Sequence, residues 1–218
     1  MNLMFDVDGT LWNTTDEVAE AWNDATEDVG LGREMGRFVT GSALRREFGK
    51  PMDEIIKDLY PDHFETMCDE ILAAVRIREK AAVERCTTAL AYPGVTDTMK
   101  ELSRDHRLYI VSNCQEGYIP LVTKTLGITD CITDFESFGK TGLLKADNIR
   151  LVCERNGFTP EEGYYIGDTT GDYNSSTEAG MPFIYARYGF GPDLPVPDFK
   201  GPVIERFADL IAFTRNRT

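Results

Sequence analysis

The first eleven residues constrain the fold of this chain more than any other stretch. An apolar run at 3–5 predicts a short buried strand, and the carboxylates Asp6 and Asp8 follow it almost at once. Because side chains alternate along a strand, residues two apart start from the same face, so we expect both acids at one site. Open α/β sheets bind their ligands at the carboxyl ends of strands. A divalent cation there would offset the repulsion between the two carboxylates.

The same residues also fit an ordinary strand that ends in an Asp-Gly turn. Gly9 allows the backbone to form a tight turn after the strand, and the Thr10 hydroxyl can hydrogen-bond to nearby backbone groups. Short motif matches carry a real risk of false positives, so the rest of the chain must decide between the two interpretations.

Length and charge narrow the class of protein. A chain of 218 residues suits one large domain, or a core with a smaller partner domain. The net charge of −14 argues against sequence-independent binding to nucleic acid. It also means that any phosphate pocket must be made positive locally, by a metal, a lysine and backbone N–H groups.

Targeting and cysteine patterns favour the cytoplasm. No apolar stretch approaches the ~20 residues of a membrane span, and no signal-peptide pattern precedes the first strand. The five cysteines are scattered and never form a CxxC pair, as expected for reduced thiols. We therefore expect a cytoplasmic monomer or homodimer that binds neither nucleic acid nor membrane.

Residues 14–90 carry a helical pattern. Val18, Trp22 and Ala25 recur at helical spacing, and Asp16 is the expected N-cap of that helix. Two shorter helices with a break at 49–51, and then one longer helix, are predicted for the remainder. We interpret the segment as an all-helical domain inserted into the chain.

From residue 91 strand and helix patterns alternate. The composition predicts strands at 108–112, 132–135, 164–166 and 183–186, with helices between them. A Gly/Pro-rich loop at 189–202 precedes a closing helix at 204–211. Repeated strand–helix units predict an α/β fold with a doubly wound parallel sheet. The domains are then a core of 1–13 and 91–218, and a helical domain of 14–90.

Three further features lie at strand ends or just beyond them. Ser112 and Asn113 close one strand, where a hydroxyl and an amide can bind phosphoryl oxygens. Lys145 precedes a helix and can hold a phosphate as a point charge; Lys140 is a competing candidate further from the helix start. The third feature is the run Gly167-Asp168-Thr-Thr-Gly171-Asp172, directly after another strand.

In chain order these segments resemble the four motifs of the haloacid dehalogenase-like superfamily of phosphotransferases. The run from Phe5 to Leu11 is similar to the first motif and Ser112 to the second. Lys145 resembles the third, although the usual Lys-Pro is Lys-Ala here, and the run that begins at Gly167 resembles the fourth. A helical insert between the first two motifs is typical of the subgroup that contains phosphoglycolate phosphatases and β-phosphoglucomutases. The resemblance covers essentially the whole chain and implies a Rossmann-like core with a helical cap.

The resemblance also implies roles for individual residues. Asp6 would attack phosphorus and form an aspartyl-phosphate, while Asp8 would act as general acid and base. Ser112 and Lys145 would stabilise the transferring phosphoryl group. A Mg²⁺ ion would be held by the carboxylates of Asp6 and Asp168 and by the backbone carbonyl of Asp8. Asp172 would support a metal-bound water or the lysine.

A phosphomutase would share every one of these residues and remains the alternative. A dehalogenase is less compatible, because related dehalogenases lack the acid at Asp8. A non-enzymatic binding module is expected to lack at least one catalytic residue of the motifs, and every one is present in this sequence. The interpretation is therefore a Mg²⁺-dependent phosphatase acting on a small phosphate ester of the phosphoglycolate or sugar-phosphate kind.

Candidate substrate contacts lie near the first two motifs and in the helical insert. Thr10 and Asn113 are candidates for binding the phosphate. In the helical insert, Arg45 and Arg46 lie in the one cluster that combines glycine with concentrated positive charge, and either could pair with a second anionic group. A solvated helix face is an equally good interpretation of these arginines. For Trp12, Trp22 and Cys114 the sequence indicates no role beyond packing.

Overall fold

A single parallel sheet organises the chain in the computed structural model, which describes residues 1–191 and 199–216. Within those residues the sheet has six strands in the order β3-β2-β1-β4-β5-β6. They are β1 (Asn2–Phe5), β2 (Arg107–Ser112), β3 (Ile132–Ser137), β4 (Gly163–Gly167), β5 (Phe183–Ala186) and β6 (Val203–Ile204). All five neighbouring pairs run parallel, so the predicted parallel α/β sheet is confirmed.

The same described residues contain eleven α-helices. They are α1 (Thr15–Asp28), α2 (Gly32–Met35), α3 (Gly41–Glu47), α4 (Met52–Leu59), α5 (Phe64–Val83), α6 (Val95–Leu102), α7 (Tyr118–Thr125), α8 (Phe138–Thr141), α9 (Lys145–Arg155), α10 (Thr170–Ala179) and α11 (Asp209–Arg215). None of the described helices is both long enough and apolar enough to cross a membrane.

The chain folds into two compact units. The core unit comprises Met1–Asn13 and Thr87–Thr218, and the helical unit comprises Thr14–Cys86. The segment 87–90, which the sequence pattern placed with the helices, belongs to the core unit. The reason is local pairing: the backbone N–H of Asn13 donates to the Leu90 carbonyl at 2.9 Å, and Trp12 forms a bridge with Ala91.

Strand β1 lies at the centre of the sheet, between β2 and β4. Phe5 is paired with Ile110 on one side and with Ile166 on the other. Chain order therefore reverses at β1: the chain moves outward through β2 and β3 and then returns to β4. Ligand sites of open α/β sheets form at such a reversal, beyond the carboxyl ends of the strands.

Helices cover both faces of this sheet, as a doubly wound fold requires. On one face Met4 and Tyr109 are buried against Ile149 and Val152 of α9, and α10 packs beside α9. On the other face Phe5 packs against Phe207 with ring centroids 5.7 Å apart, and α6 contacts β2 and α11. Burial on both faces explains why the central strands are continuous apolar runs rather than alternating ones.

The helical unit has its own apolar core. Helix α1 packs against α2, α3 and α5, with Trp22 stacked on Tyr60 at a centroid distance of 6.2 Å. The Asn23 amide makes two hydrogen bonds with the backbone of Val39, at 2.8 and 3.1 Å. The break predicted at 49–51 is confirmed, since α3 ends at Glu47 and α4 begins at Met52.

Two local predictions are wrong. Ile204 does not begin the closing helix; it pairs with Ala186 in β6, because Pro202 and Ile204 supply carbonyls to the backbone N–H groups of β5 and the residue after it. Asp16 is not the N-cap of α1, which begins at Thr15; it lies in the first turn, where a carboxylate favours the helix dipole. Residues 192–198 of the predicted Gly/Pro-rich loop lie outside the described residues.

Candidate active site

The carboxyl ends of three adjacent strands bring the sequence-predicted groups together. Asp6 directly follows β1, Ser112 is the last residue of β2, and Asp168 directly follows β4. The Asp6 backbone N–H donates to the Ile166 carbonyl at 2.9 Å, which extends the pairing of β1 and β4 to the site. Asp6, Ser112 and Asp168 are all buried, and the Ser112 side chain acts to lower the pKa of the Asp6 carboxyl.

Lys145 joins the acids of this site. Its ammonium donates to Asp6 Oδ1 at 3.0 Å and to Asp172 Oδ1 at 2.6 Å, and its side chain is only 2% exposed. It is the first residue of α9, so the helix start directs it to the sheet edge. Lys140 instead pairs with Glu136 at 2.9 Å and has a side chain 47% exposed. The structure thus places Lys145, rather than Lys140, against Asp6.

Asp168 is held by two donors. The Thr10 hydroxyl donates to Asp168 Oδ1 at 3.0 Å, and the backbone N–H of Phe190 donates to Oδ2 at 2.7 Å. Thr10 is fully buried, so the hydroxyl that the sequence offered for substrate binding is occupied in positioning a carboxylate. The Phe190 donor comes from the loop after β5, which the sequence pattern did not connect with the site.

Asp172 is held at the start of α10. Its Oδ2 accepts hydrogen bonds from the Thr169 hydroxyl at 2.7 Å and from the Thr169 backbone N–H at 3.0 Å, which forms a capping box. Its Oδ1 accepts from Lys145. Both oxygens of Asp172 therefore have protein partners, and its first effect is to fix the lysine.

Gly9 fits the turn between Asp8 and Thr10 for two separate reasons. Its φ of +85° lies in the left-handed region that side chains disfavour. A Cβ at this position would also lie 2.2 Å from Asp168 Oδ2, far inside van der Waals contact. The absence of a side chain at Gly9 is what lets the first turn approach Asp168.

Replacing Gly9 with alanine should therefore lower the free energy of unfolding by more than backbone strain alone would. Gly157→Ala is a matched control in the same unit, since Gly157 has φ +73° and open space around it. We expect about 1–2 kcal/mol of strain for the control and about 1–3 kcal/mol more for Gly9→Ala because of overpacking. Denaturant unfolding of both variants measures the difference. Equal losses would contradict the close approach of Gly9 to Asp168.

The Asp8 carboxylate has different neighbours from those of Asp6. Its Oδ1 accepts hydrogen bonds from the Tyr118 hydroxyl at 2.7 Å and from the Trp12 indole N–H at 3.1 Å. Burial raises the pKa of Asp8 to about 7; the two hydrogen bonds oppose this rise and the charge of Asp6 adds to it. Neither Tyr118 nor Trp12 was assigned to the site from sequence, and the hydrogen bond from Trp12 to Asp8 is a contact beyond packing.

Burial and mutual repulsion shape the remaining electrostatics. Burial raises the pKa of Asp6 to about 6, with Lys145 lowering it and Asp172 raising it. Burial, Asp172 and Asp6 together hold the pKa of Asp168 well above its usual range. Burial opposes the charge on Lys145, but Asp172 and Asp6 outweigh it and raise the lysine pKa. The site therefore contains more negative charge than the lysine compensates.

The donor set fits a hard divalent cation. Asp6, Asp168 and Asp172 each offer a carboxylate oxygen, and these oxygens lie within 4.8 Å of one another. Carboxylate oxygens are the ligands that Mg²⁺ and Ca²⁺ prefer. A divalent charge would also offset the repulsion that raises the pKa values of Asp6 and Asp168.

The other predicted residues are more peripheral or lie in the helical unit. Asn113 follows Ser112 at the end of β2 and is half-buried. Arg45 and Arg46 are exposed on α3 of the helical unit. Lys50, which lies four residues after Arg46, is paired with Glu47 and Asp58 at 2.6 and 2.7 Å. That pairing offsets the charge of Lys50.

The fold and the site together define the class of protein. A parallel sheet in the order 3-2-1-4-5-6, with aspartates and a lysine gathered where the chain order reverses, is a Rossmann-like enzyme core. More particularly, the chain belongs to the haloacid dehalogenase-like hydrolase family, whose profile matches residues 3–186. The expected membership in this superfamily and the expectation of an enzyme are confirmed.

Individual relatives agree with this assignment along almost the whole chain. A phosphoglycolate phosphatase from Vibrio vulnificus is 26% identical over 221 residues, covering 96% of this chain and 95% of its own length. A haloacid dehalogenase-like hydrolase from Streptococcus pneumoniae has the same fold, with a TM-score of 0.80, 22% identity and coverage of 98% and 97%. Mutant CbbY from Rhodobacter sphaeroides, solved with xylulose-(1,5)bisphosphate, has a TM-score of 0.73 at 19% identity and coverage of 96% and 95%.

Proposed function

We propose that this protein is a Mg²⁺-dependent phosphatase that hydrolyses a small phosphate monoester through an aspartyl-phosphate on Asp6. The observation that carries the proposal is the contact of Lys145 with Asp6 at the carboxyl end of the central strand, beside Asp168 and Asp172. This arrangement combines a carboxylate nucleophile with a fixed positive charge, as phosphoryl transfer requires.

In the first step Asp6 forms a bond to phosphorus as the bond from phosphorus to the ester oxygen breaks. Asp8 gives its proton to the departing oxygen, so the product is a neutral alcohol rather than an alkoxide. Lys145, which contacts the Asp6 carboxylate, and the Ser112 hydroxyl at the end of β2 stabilise negative charge on the phosphoryl oxygens. The enzyme now carries an acyl phosphate on Asp6.

In the second step a water molecule attacks the same phosphorus. Asp8, left as a carboxylate by the first step, takes the proton from this water. The bond between Asp6 and phosphorus breaks, which releases inorganic phosphate and restores the carboxylate of Asp6. Asp8 is protonated again, so the cycle balances without any further reactant.

Asp6, Asp168 and the backbone carbonyl of Asp8 would hold the Mg²⁺ ion, with Asp172 supporting the site through Lys145. When bound, the ion supplies positive charge that neutralises the carboxylates and the incoming phosphate group. The capping box that fixes Asp172 and the two donors on Asp168 give the carboxylates a defined geometry before any ligand arrives.

Metal binding has a readout that does not depend on activity. We expect saturating Mg²⁺ to raise the melting temperature of the wild type, since a ligand at 100 times its Kd stabilises by about 2.7 kcal/mol. Asp168→Asn should lose most of this shift. Its metal-free stability should equal or exceed that of the wild type, because one buried, repelling carboxylate is gone. The control Asp130→Asn, at an exposed position, should keep the full shift. An equal shift in all three proteins would contradict the proposed metal site.

The substrate is proposed to be a small ester of the phosphoglycolate or sugar-phosphate kind. The curated relative from Vibrio vulnificus is named a phosphoglycolate phosphatase, and the CbbY structure holds a sugar bisphosphate. These classes can be ranked by measuring phosphate release, with and without Mg²⁺, from phosphoglycolate, sugar monophosphates, nucleotides and an aryl phosphate.

The variants Arg45→Ala and Arg46→Ala, assayed on the best ester, test whether either arginine pairs with a second anionic group of the substrate. Isomerisation of a sugar phosphate without phosphate release would instead identify a phosphomutase.

A further inference from the structure

Two side chains with no place in the mechanism above converge on the Asp8 carboxylate. The Tyr118 hydroxyl and the Trp12 indole N–H both donate to Asp8 Oδ1, at 2.7 and 3.1 Å. Tyr118 lies 110 residues from Asp8 in the chain, so the contact comes from the fold and not from local sequence. In the described residues, both side-chain hydrogen bonds to this carboxylate end on the same oxygen.

Both donors are held rigidly. Trp12 is fully buried, its carbonyl accepts a hydrogen bond from the Gly9 N–H at 2.9 Å, and its backbone bridges to Asp8 and to Ala91. Tyr118 is the first residue of α7 and is 6% exposed. The two rings pack edge to face with centroids 6.1 Å apart. Each ring therefore limits the movement of the other, and the two donors restrict rotation of the carboxylate that accepts from both.

The two oxygens of Asp8 are made unequal by this arrangement. An oxygen that accepts two hydrogen bonds from fixed donors is a poor site for a proton, because a proton there would face both donors. Oδ2, which receives neither of these hydrogen bonds, is then the oxygen better suited to exchange a proton. A general acid must have its proton within hydrogen-bond reach of the departing oxygen, so the choice of oxygen decides whether the acid can act.

We infer that Trp12 and Tyr118 are positioning residues, which orient Asp8 so that Oδ2 exchanges the proton with the leaving oxygen and with the attacking water. The inference rests on the proposed function and concerns only the role of Asp8 in it. Removal of either donor lets the carboxylate rotate and lowers the fraction of time that the acid faces the ester.

The leaving group provides a test that separates orientation from a general structural effect. Departure of an alkyl oxygen needs a proton from Asp8, whereas departure of p-nitrophenolate does not. The quantity to compare is kcat/KM, because it reports formation of the aspartyl-phosphate and is unaffected by its later hydrolysis. The esters are a small alkyl phosphate, chosen as the best substrate of the wild type, and p-nitrophenyl phosphate.

For Tyr118→Phe we expect kcat/KM for the alkyl ester to fall by roughly 10 to 10²-fold, a part of what a general acid contributes. The value for p-nitrophenyl phosphate should change by less than about threefold. Trp12→Phe keeps a ring but removes the N–H donor. It should also lower kcat/KM more for the alkyl ester than for p-nitrophenyl phosphate, but by a smaller factor. Tyr109→Phe is the matched control: its side chain is buried in the core unit with its ring 5.1 Å from that of Phe158, and neither ester should be affected.

Equal losses for both esters in Tyr118→Phe, or no loss in either, would overturn the inference. Failure of the proposed function gives a different result, since wild-type protein would then hydrolyse neither ester with Mg²⁺, and the positioning role would fall with it. If Tyr118→Phe proves unstable in thermal unfolding, the inference is judged on Trp12→Phe alone, from its kcat/KM for the two esters.

Discussion

Asp6→Asn should abolish phosphate release while leaving the protein folded. Asparagine has the shape of aspartate but cannot form an acyl phosphate, so the first chemical step has no nucleophile. We expect kcat/KM to fall by roughly 10⁴-fold or more, as when other nucleophilic enzymes lose the attacking group. Lys145 keeps its second partner, Asp172 at 2.6 Å, so the core unit should retain its unfolding transition.

The measurement for Asp6→Asn is Mg²⁺-dependent phosphate release from the best ester, with thermal unfolding run on the same samples. Asp130→Asn is the control, because it makes the same chemical change at an exposed position outside the site. It should keep full activity. Substantial turnover by folded Asp6→Asn would mean that another group attacks phosphorus.

Lys145→Met should destabilise the core unit as well as inactivate it. Methionine keeps much of the length of the side chain but leaves Asp6 and Asp172 buried without the ammonium that pairs with both. Breaking a buried ion pair by removing one partner costs about 3–5 kcal/mol. Loss of the charge at the phosphoryl group should lower kcat by roughly 10²-fold to 10³-fold in addition.

Lys140→Met is the matched control for this second prediction. The Lys140 side chain is half-exposed, and its partner Glu136 keeps a second cation, Arg155 at 2.6 Å. We expect a loss of about 0–1 kcal/mol and no change in activity. Denaturant unfolding without added divalent cation compares the two variants. Similar losses for Lys140→Met and Lys145→Met would contradict the central position of Lys145.

Much of the site could be predicted from sequence because it follows from strand geometry. An apolar run followed by Asp6, and a second followed by Gly167 and Asp168, fixes both acids at the carboxyl ends of parallel strands. Parallel strands end at the same edge of a sheet, so proximity needs no knowledge of the loops. The choice of Lys145 over Lys140 also rested on a local signal, the distance from a helix start.

The groups that sequence reasoning missed act through contacts that no local pattern records. Tyr118 reaches Asp8 across 110 positions of the chain, and the Phe190 donor is a backbone N–H, which any residue except proline supplies. Trp12 resembles an ordinary core residue, and only the direction of its indole N–H reveals its partner. Its spacing of four residues from Asp8, across a turn that contains Gly9, was the one available signal.

The strand β6 was missed for a different reason. Val203 and Ile204 form a two-residue strand at the sheet edge, too short to show a period of two. The spacing of Ile204, Phe207 and Leu210 matches a helix by coincidence, since Phe207 is buried by its contact with Phe5 before α11 begins. Tertiary pairing with β5 decides the conformation there.

The stereochemical course at phosphorus tests the central claim most directly. The substrate is a phosphorothioate monoester made chiral with labelled oxygen and hydrolysed in water that carries another oxygen isotope. Attack by Asp6 followed by attack of water inverts the phosphorus twice, so the account predicts net retention of configuration. Net inversion would show a single direct attack by water, and would contradict the aspartyl-phosphate on Asp6.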